Sequence, residues 1–193
     1  MLARDLPCVL MAVDPGKASG WALTYVAPYE PHLRTWSHGT TETWLHRSDA
    51  CTHAHAIAHA IGQPLVVVAE TWRMKKTGPK KSQSKIGLPQ ILSLAAQWGR
   101  WLAELERLDV PAKRIVLVET GTWRQAIFGR SRGGSAGFKT QAMMRARAVL
   151  GHNMTADEAE ALCIGLYGLR SEKVAAAIGK RELRRLGWSE EGL

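Results

Sequence analysis

Four acids in this chain stand where their chemistry can be pooled: Asp14, Glu70, Asp157 and Glu160. Asp14 ends the apolar run Cys8-Val-Leu-Met-Ala-Val, and Glu70 ends Leu65-Val-Val-Val-Ala, so each carboxylate is expected at the mouth of a buried strand. Asp157 and Glu160 are three residues apart, which puts both on one face of a helix, with Glu158 turned about 100° away. If the two strands are parallel neighbours, their ends lie about 5 Å apart, and a helix laid across the sheet brings the other pair to the same cleft. Carboxylates so close repel one another and take up protons unless cations neutralise them. Mg2+ is the simplest neutraliser and Mn2+ can substitute, because both are hard ions that prefer oxygen ligands. Two such ions about 4 Å apart hold a phosphodiester for in-line hydrolysis, one activating water and the other stabilising the leaving 3′ oxygen. No side-chain nucleophile and no small-molecule cofactor is then required. Any one of these acids alone reads equally well as an ordinary surface carboxylate. Two ending apolar strands and two sharing a helical face argue jointly for a site.

Such a site needs a particular order of elements. The pattern predicts strands over about 8–14, 20–27 and 32–39, close enough together for an antiparallel meander. A helix follows from Trp44 to Ile61, stopped by Gly62 and Pro64, and then a fourth strand, Leu65 to Glu70. A long helix is expected from about Pro89 to Leu108, and a fifth strand from Arg114 to Val118, leading to Glu119. Thr122 to Phe128 reads as a short helix capped by Thr122, and Gly129 to Gly137 as a flexible glycine-rich loop. Helices from about Lys139 to Leu150 and from Thr155 to about Leu169 complete the core, roughly residues 8–168, and a basic tail spans about 170–193. This order, with the later strands parallel to the first, is that of a ribonuclease H-like fold: one α/β domain over 1–193 with a five-stranded mixed sheet flanked by helices. Glu119 is a fifth acid at a strand end, but a strand one place further out carries it away from the cleft.

Composition narrows the function. At 193 residues the chain buries roughly 70% of the surface its unfolded form exposes, so its core needs no staples. Cys8, Cys51 and Cys163 are odd in number, widely spaced and without a CxxC pair, which argues against a secreted disulfide framework and a zinc ribbon. A reducing cytoplasm is the expected compartment, that of a bacterium or a phage-infected host. No run approaches the 18 or so apolar residues of a membrane span, so no membrane partner is expected. The formal charge of +9 favours a polyanion, because each phosphate neutralised releases condensed counterions. Two patterns are discounted. Cys51, His55 and His59 form a stripe along one helix that cannot surround an ion and reads as an exposed helical face. Gly16-Lys17-Ala18-Ser19 lacks the first glycine of a phosphate loop, since Met11 stands there.

The segments Val9-Leu-Met-Ala-Val-Asp14-Pro-Gly16, Val66-Val-Val-Ala-Glu70, Val118-Glu-Thr-Gly-Thr-Trp123-Arg124-Gln-Ala-Ile-Phe-Gly129 and Asp157-Glu-Ala-Glu160-Ala-Leu-Cys-Ile-Gly165 together resemble the RuvC-type Holliday junction resolvases, especially the phage-encoded branch. The resemblance covers about residues 8–168 and implies that Asp14, Glu70, Asp157 and Glu160 hold two Mg2+ ions per active site. One departure is that the last position is usually Asp in that family. Glu160 is a methylene longer, which opens the metal geometry to change and makes Glu158 a possible substitute. The resemblance also implies a homodimer that nicks two strands of a four-way DNA junction symmetrically, leaving 5′ phosphates, a twofold enzyme on a twofold substrate. It assigns much of the dimer contact to the long helix after strand four. Ile91, Leu94, Trp98, Trp101 and Leu105 serve either that contact or the monomer core.

DNA contacts are expected around the cleft. Trp72, beside Arg73 and just past Glu70, either stacks on bases near the crossover or packs beneath its loop. Lys75, Lys76, Lys80, Lys81 and Lys85 lie in a Gly-, Pro- and Ser-containing stretch suited to backbone phosphates. Lys139 is expected to reach the scissile phosphate, a role the resemblance supports, and Arg130 and Arg132 to hold another strand. The competing functions are a nuclease acting on RNA:DNA hybrids, a branched-DNA-binding protein without catalysis, and a sugar-kinase-like ATPase, whose second half this chain lacks.

Overall fold

The computed structural model describes residues 7–16, 18–26, 34–71, 88–129, 134–179 and 185. Trp72, Arg73, Lys75, Lys76, Lys80, Lys81, Lys85, Arg130 and Arg132, singled out above for DNA contact, lie outside these residues. β1 (Val9–Asp14), β2 (Ser19–Val26) and β3 (Arg34–Thr41) form the antiparallel meander, and β4 (Leu65–Thr71) and β5 (Ile115–Glu119) extend the sheet in parallel, giving the order β3-β2-β1-β4-β5. This is the ribonuclease H-like arrangement expected from the element order. β1 and β4 are apolar at nearly every position because they sit inside the sheet with helices on both faces, where alternation would bury polar groups. Their register pairs Val13 with Ala69, so the next residues, Asp14 and Glu70, emerge side by side at the same end.

Two cores flank the sheet. On one face Val9, Met11, Val13, Val67 and Ala69 pack with Ala50, Cys51 and Ala54 of α1 (Trp44–Ala60) and Trp101 and Leu105 of α2 (Leu88–Arg107). Trp101 and Leu105 are wholly buried, each such side chain stabilising the fold by roughly 2–3 kcal/mol. These two therefore belong to the monomer core. Trp98 packs partly buried on the same cluster, Leu94 is half-buried, and Leu92 and Leu102 are exposed. Cys51 is likewise core, with its thiol pushed up to about 12 by burial and by Glu104, so the expected exposed stripe with His55 and His59 is broken at its first member.

On the other face Leu10, Ala12, Val66 and Val68 meet α5 (Ala156–Gly168), with α3 (Thr120–Phe128), α4 (Gly134–Leu150) and α6 (Glu172–Ile178) closing around it. α5 lies unusually close to the sheet. A Cβ on Gly20 of β2 would stand 2.0 Å from the carbonyl oxygen of Asp157, and one on Gly168 would stand 3.1 Å from Val68. At Gly20 only glycine permits this approach, and at Gly168 a Cβ would require the Val68 and Leu10 side chains to give way.

Three boundaries differ from expectation. α3 begins at Thr120, with Glu119 at the cap position and no side-chain capping bond, so Thr122 lies exposed inside the helix. α4 begins at Gly134, making helical the second half of the expected loop. Phe138 in its first turns packs 6.0 Å from Phe128, and such tertiary contact overrides the poor helix propensity of glycine. α6 was not anticipated. Its Val174, Ala177 and Ile178 seal the core beside β4 and β5, so the basic tail starts later than residue 170. No helix among the described residues is long and apolar enough to cross a membrane.

Candidate active site

Each carboxylate is delivered by a locally explicable device. β1 stops at Pro15-Gly16, where Ser19 Oγ donates to the Gly16 carbonyl at 2.8 Å and receives the indole N–H of Trp101 at 3.3 Å, fixing the turn after Asp14. α5 starts with a reciprocal cap. Thr155 Oγ1 accepts from the Glu158 amide at 3.3 Å, while Glu158 Oε2 accepts from the Thr155 amide at 2.9 Å and its hydroxyl at 2.7 Å. This cap sets the rotation of the helix and hence the direction of Asp157 and Glu160.

Asp14, Asp157 and Glu160 converge, with one carboxylate oxygen of each within 4.8 Å of the others. They line a cavity of about 830 Å³ together with Gly16, Ala18, Glu42, Thr43 and Lys139. Glu70 stands at the margin of this triad. Its Oε1 accepts from Thr120 Oγ1 at 2.5 Å and its Oε2 from Trp123 Nε1 at 2.8 Å, which turns the carboxylate toward the start of α3. Glu158 points elsewhere: one oxygen closes the cap and the other meets His38 Nδ1 at 3.1 Å, so it is not available to substitute for Glu160 while the cap holds. Glu119 is exposed at the end of β5, two strands from Asp14, as expected.

The electrostatics follow from crowding. Burial pushes the Asp14 carboxyl well above its usual range, and the negative charges of Glu70, Glu160 and Asp157 push it further, against a smaller opposing pull from Lys139. Glu160 is nearly inaccessible and also raised, chiefly by burial, although Arg124 Nη2 donates to its Oε1 at 2.6 Å. Lys139 Nζ donates to Asp157 Oδ1 at 3.1 Å, and that bond raises the lysine. A donor set made wholly of carboxylate oxygens, with too few cations of its own to neutralise it, fits a hard divalent ion.

Sequence reasoning missed the contributions of α3. Thr120 and Trp123 hold Glu70, and Arg124 holds Glu160 while its guanidinium lies 5.2 Å from the Trp123 ring centroid and 5.1 Å from that of Phe138. A signal was present: Thr120 and Trp123 are three residues apart at the start of a helix that follows a strand neighbouring β4.

No family model matches the chain, and no curated protein matches it. Among solved structures it is similar to RuvC of T. thermophilus in complex with a Holliday junction substrate, at 17% identity and a TM-score of 0.49, covering 82% of this chain and 91% of that one. It is also similar to Ydc2, the yeast mitochondrial Holliday junction resolvase, at 13% identity and a TM-score of 0.41, covering 96% of this chain and 88% of that one.

Proposed function

We propose that the chain is a divalent-metal-dependent endonuclease that resolves four-way DNA junctions. The observation that carries this reading is the convergence of Asp14, Asp157 and Glu160 within 4.8 Å, lining a cavity of about 830 Å³ together with Lys139. Asp14, Asp157 and Glu160 would hold Mg2+ or Mn2+, and Glu70, once released by α3, would complete a set for two ions. Such ions supply the acidity that makes water a nucleophile near neutral pH and the charge that stabilises a departing 3′ oxygen.

The chain's own groups do the rest. Asp14, desolvated and crowded by like charges, has the most to gain from a cation and so anchors it. Lys139 is about half exposed at the cavity wall and bonded to Asp157, within reach of a strand laid across the cleft. The surplus of positive charge draws in the phosphate backbone. A homodimer would present two such clefts to the two opposed strands of a junction.

The test incubates wild type and Asp14→Asn with a labelled four-way junction, a linear duplex and an RNA:DNA hybrid of matched sequence, with and without Mg2+ or Mn2+. Paired nicks in the junction alone, dependent on metal and lost in Asp14→Asn while binding persists, are expected. Preferred cleavage of the hybrid would transfer the assignment to a hybrid nuclease. Junction binding with no nick under either metal would remove the catalytic reading.

A further inference from the structure

The contacts of α3 bear on how the cleft is kept before a cation arrives. We propose that Arg124 is an internal counterion that occupies Glu160 in the metal-free protein and competes with an entering divalent cation for it. This rests on the reading of the carboxylate cluster as a metal centre.

Three observations converge on it. Arg124 Nη2 stands 2.6 Å from Glu160 Oε1, a charge-assisted bond made where water is nearly absent, since the Glu160 side chain is only 5% exposed. The guanidinium is held between the rings of Trp123 and Phe138, with centroids at 5.2 and 5.1 Å, so it is aimed at the cleft by its own surroundings and not by the carboxylate alone. Glu160 also keeps an oxygen within 4.8 Å of Asp14 and Asp157 while it is paired with Arg124. The side chain thus spans the cation on α3 and the acids on β1 and α5, and an aspartate at this position, one methylene shorter, has less reach to do so.

Lys139 plays a parallel part on Asp157, but with a difference. Its side chain is 45% exposed against 20% for Arg124, so it can swing into solvent, whereas Arg124 is clamped. A dication entering beside a clamped guanidinium meets a like charge and competes with it for a carboxylate that is desolvated. Arg124 therefore lowers the affinity of the cleft for metal. Metal uptake in the absence of DNA is held down by this residue.

The measurement is Mn2+ affinity of the DNA-free protein, followed by electron paramagnetic resonance of unbound Mn2+ and by calorimetric titration, with no readout of cleavage. Arg124→Gln, which removes the charge, is expected to tighten Mn2+ binding by about ten- to a hundredfold, the worth of one charge-assisted hydrogen bond. Arg124→Lys, which keeps a cation on the same stem, is expected to stay within about threefold of wild type. Phe138→Leu, which opens the clamp from the α4 side and leaves Arg124 in place, supplies a second route, with a smaller tightening expected. Unchanged or weaker binding in Arg124→Gln, or equal tightening in Gln and Lys variants, overturns the counterion. Asp14→Asn separates this from the parent reading: if it binds Mn2+ as tightly as wild type, the metal centre itself is wrong, whatever Arg124 does.

Discussion

Removing the charge of Asp14 is expected to stabilise the metal-stripped protein, the reverse of what truncating a well-paired buried acid does. The carboxylate faces two others within 4.8 Å, and like charges at that distance repel by about 3.5 kcal/mol per pair at an effective dielectric constant near 20. The side chain escapes part of this by taking up a proton. At pH 7 that escape costs at most about 4 kcal/mol, from the ordinary value of 3.8 and 1.36 kcal/mol per pH unit. Lys139 returns some of the penalty, so a net gain of about 2 kcal/mol is expected for Asp14→Asn, or about 4–8 °C in Tm for a chain of this size.

The sign with pH is fixed by the direction of the shift. Because the folded value lies above the unfolded one, the penalty is absent below pH 3.8, grows as pH rises through that interval, and levels off above the folded value. Wild type and variant should therefore converge in acid and separate toward neutrality. Calorimetric melts in EDTA from pH 4 to 8 measure this, and saturating Mn2+ should reverse the order, because binding stabilises only the protein that binds. An equal or lower Tm for Asp14→Asn in EDTA at pH 7 would refute the crowding argument.

Gly20→Ala should disturb the site without touching a carboxylate: its Cβ would overlap the Asp157 backbone at 2.0 Å, forcing α5 off β2. A loss of roughly 2–3 kcal/mol is expected, read by urea denaturation, together with weaker Mn2+ binding, and retention of both would show that the helix has slack. Glu158→Gln should cost about 1 kcal/mol at pH 7 by weakening the cap. Burial tends to raise this carboxyl, but the Thr155 hydroxyl and amide and His38 outweigh it and hold it below its ordinary 4.5, so the stability it confers is present above that value and is lost as pH falls through the folded one. The gap between variant and wild type in chemical denaturation should thus be full above pH 4.5 and narrow progressively as the pH is taken below it.

The frame of this molecule was legible where burial imposes a pattern. β1 and β4 read as uninterrupted apolar runs because both their faces are covered, and the acids that end them mark where cover stops. The start of α5 was legible because Thr155 and Glu158 form a cap within one turn, a strictly local signal. What escaped notice depends on partners distant in sequence. The first turn of α4 is held by Phe138 against Phe128, and the seven residues of α6 earn their helix by burying Val174, Ala177 and Ile178, which no short window of sequence discloses. The same holds for the site. Spacing brought out the four acids, but the turn of Glu70 toward Thr120 and Trp123 arises from a helix fifty residues away. Trp101 and Leu105, equally suited by pattern to an interface or a core, are assigned to the core only by the packing of α1 beside them.

The close seating of α5 also limits how this cleft can be varied. With no space for a methyl group at Gly20 and little at Gly168, the helix rests directly on the strands and has little room to slide along them. A one-residue insertion upstream would swing Asp157 and Glu160 through about 100° and cost the whole arrangement. The remaining adjustable dimension is the length of the side chains, and Asp157 and Glu160 on the same helix already differ in it by one methylene. Variants with altered ion selectivity should accordingly arise by exchanging carboxylates of different reach on a closely seated frame, not by remodelling the frame.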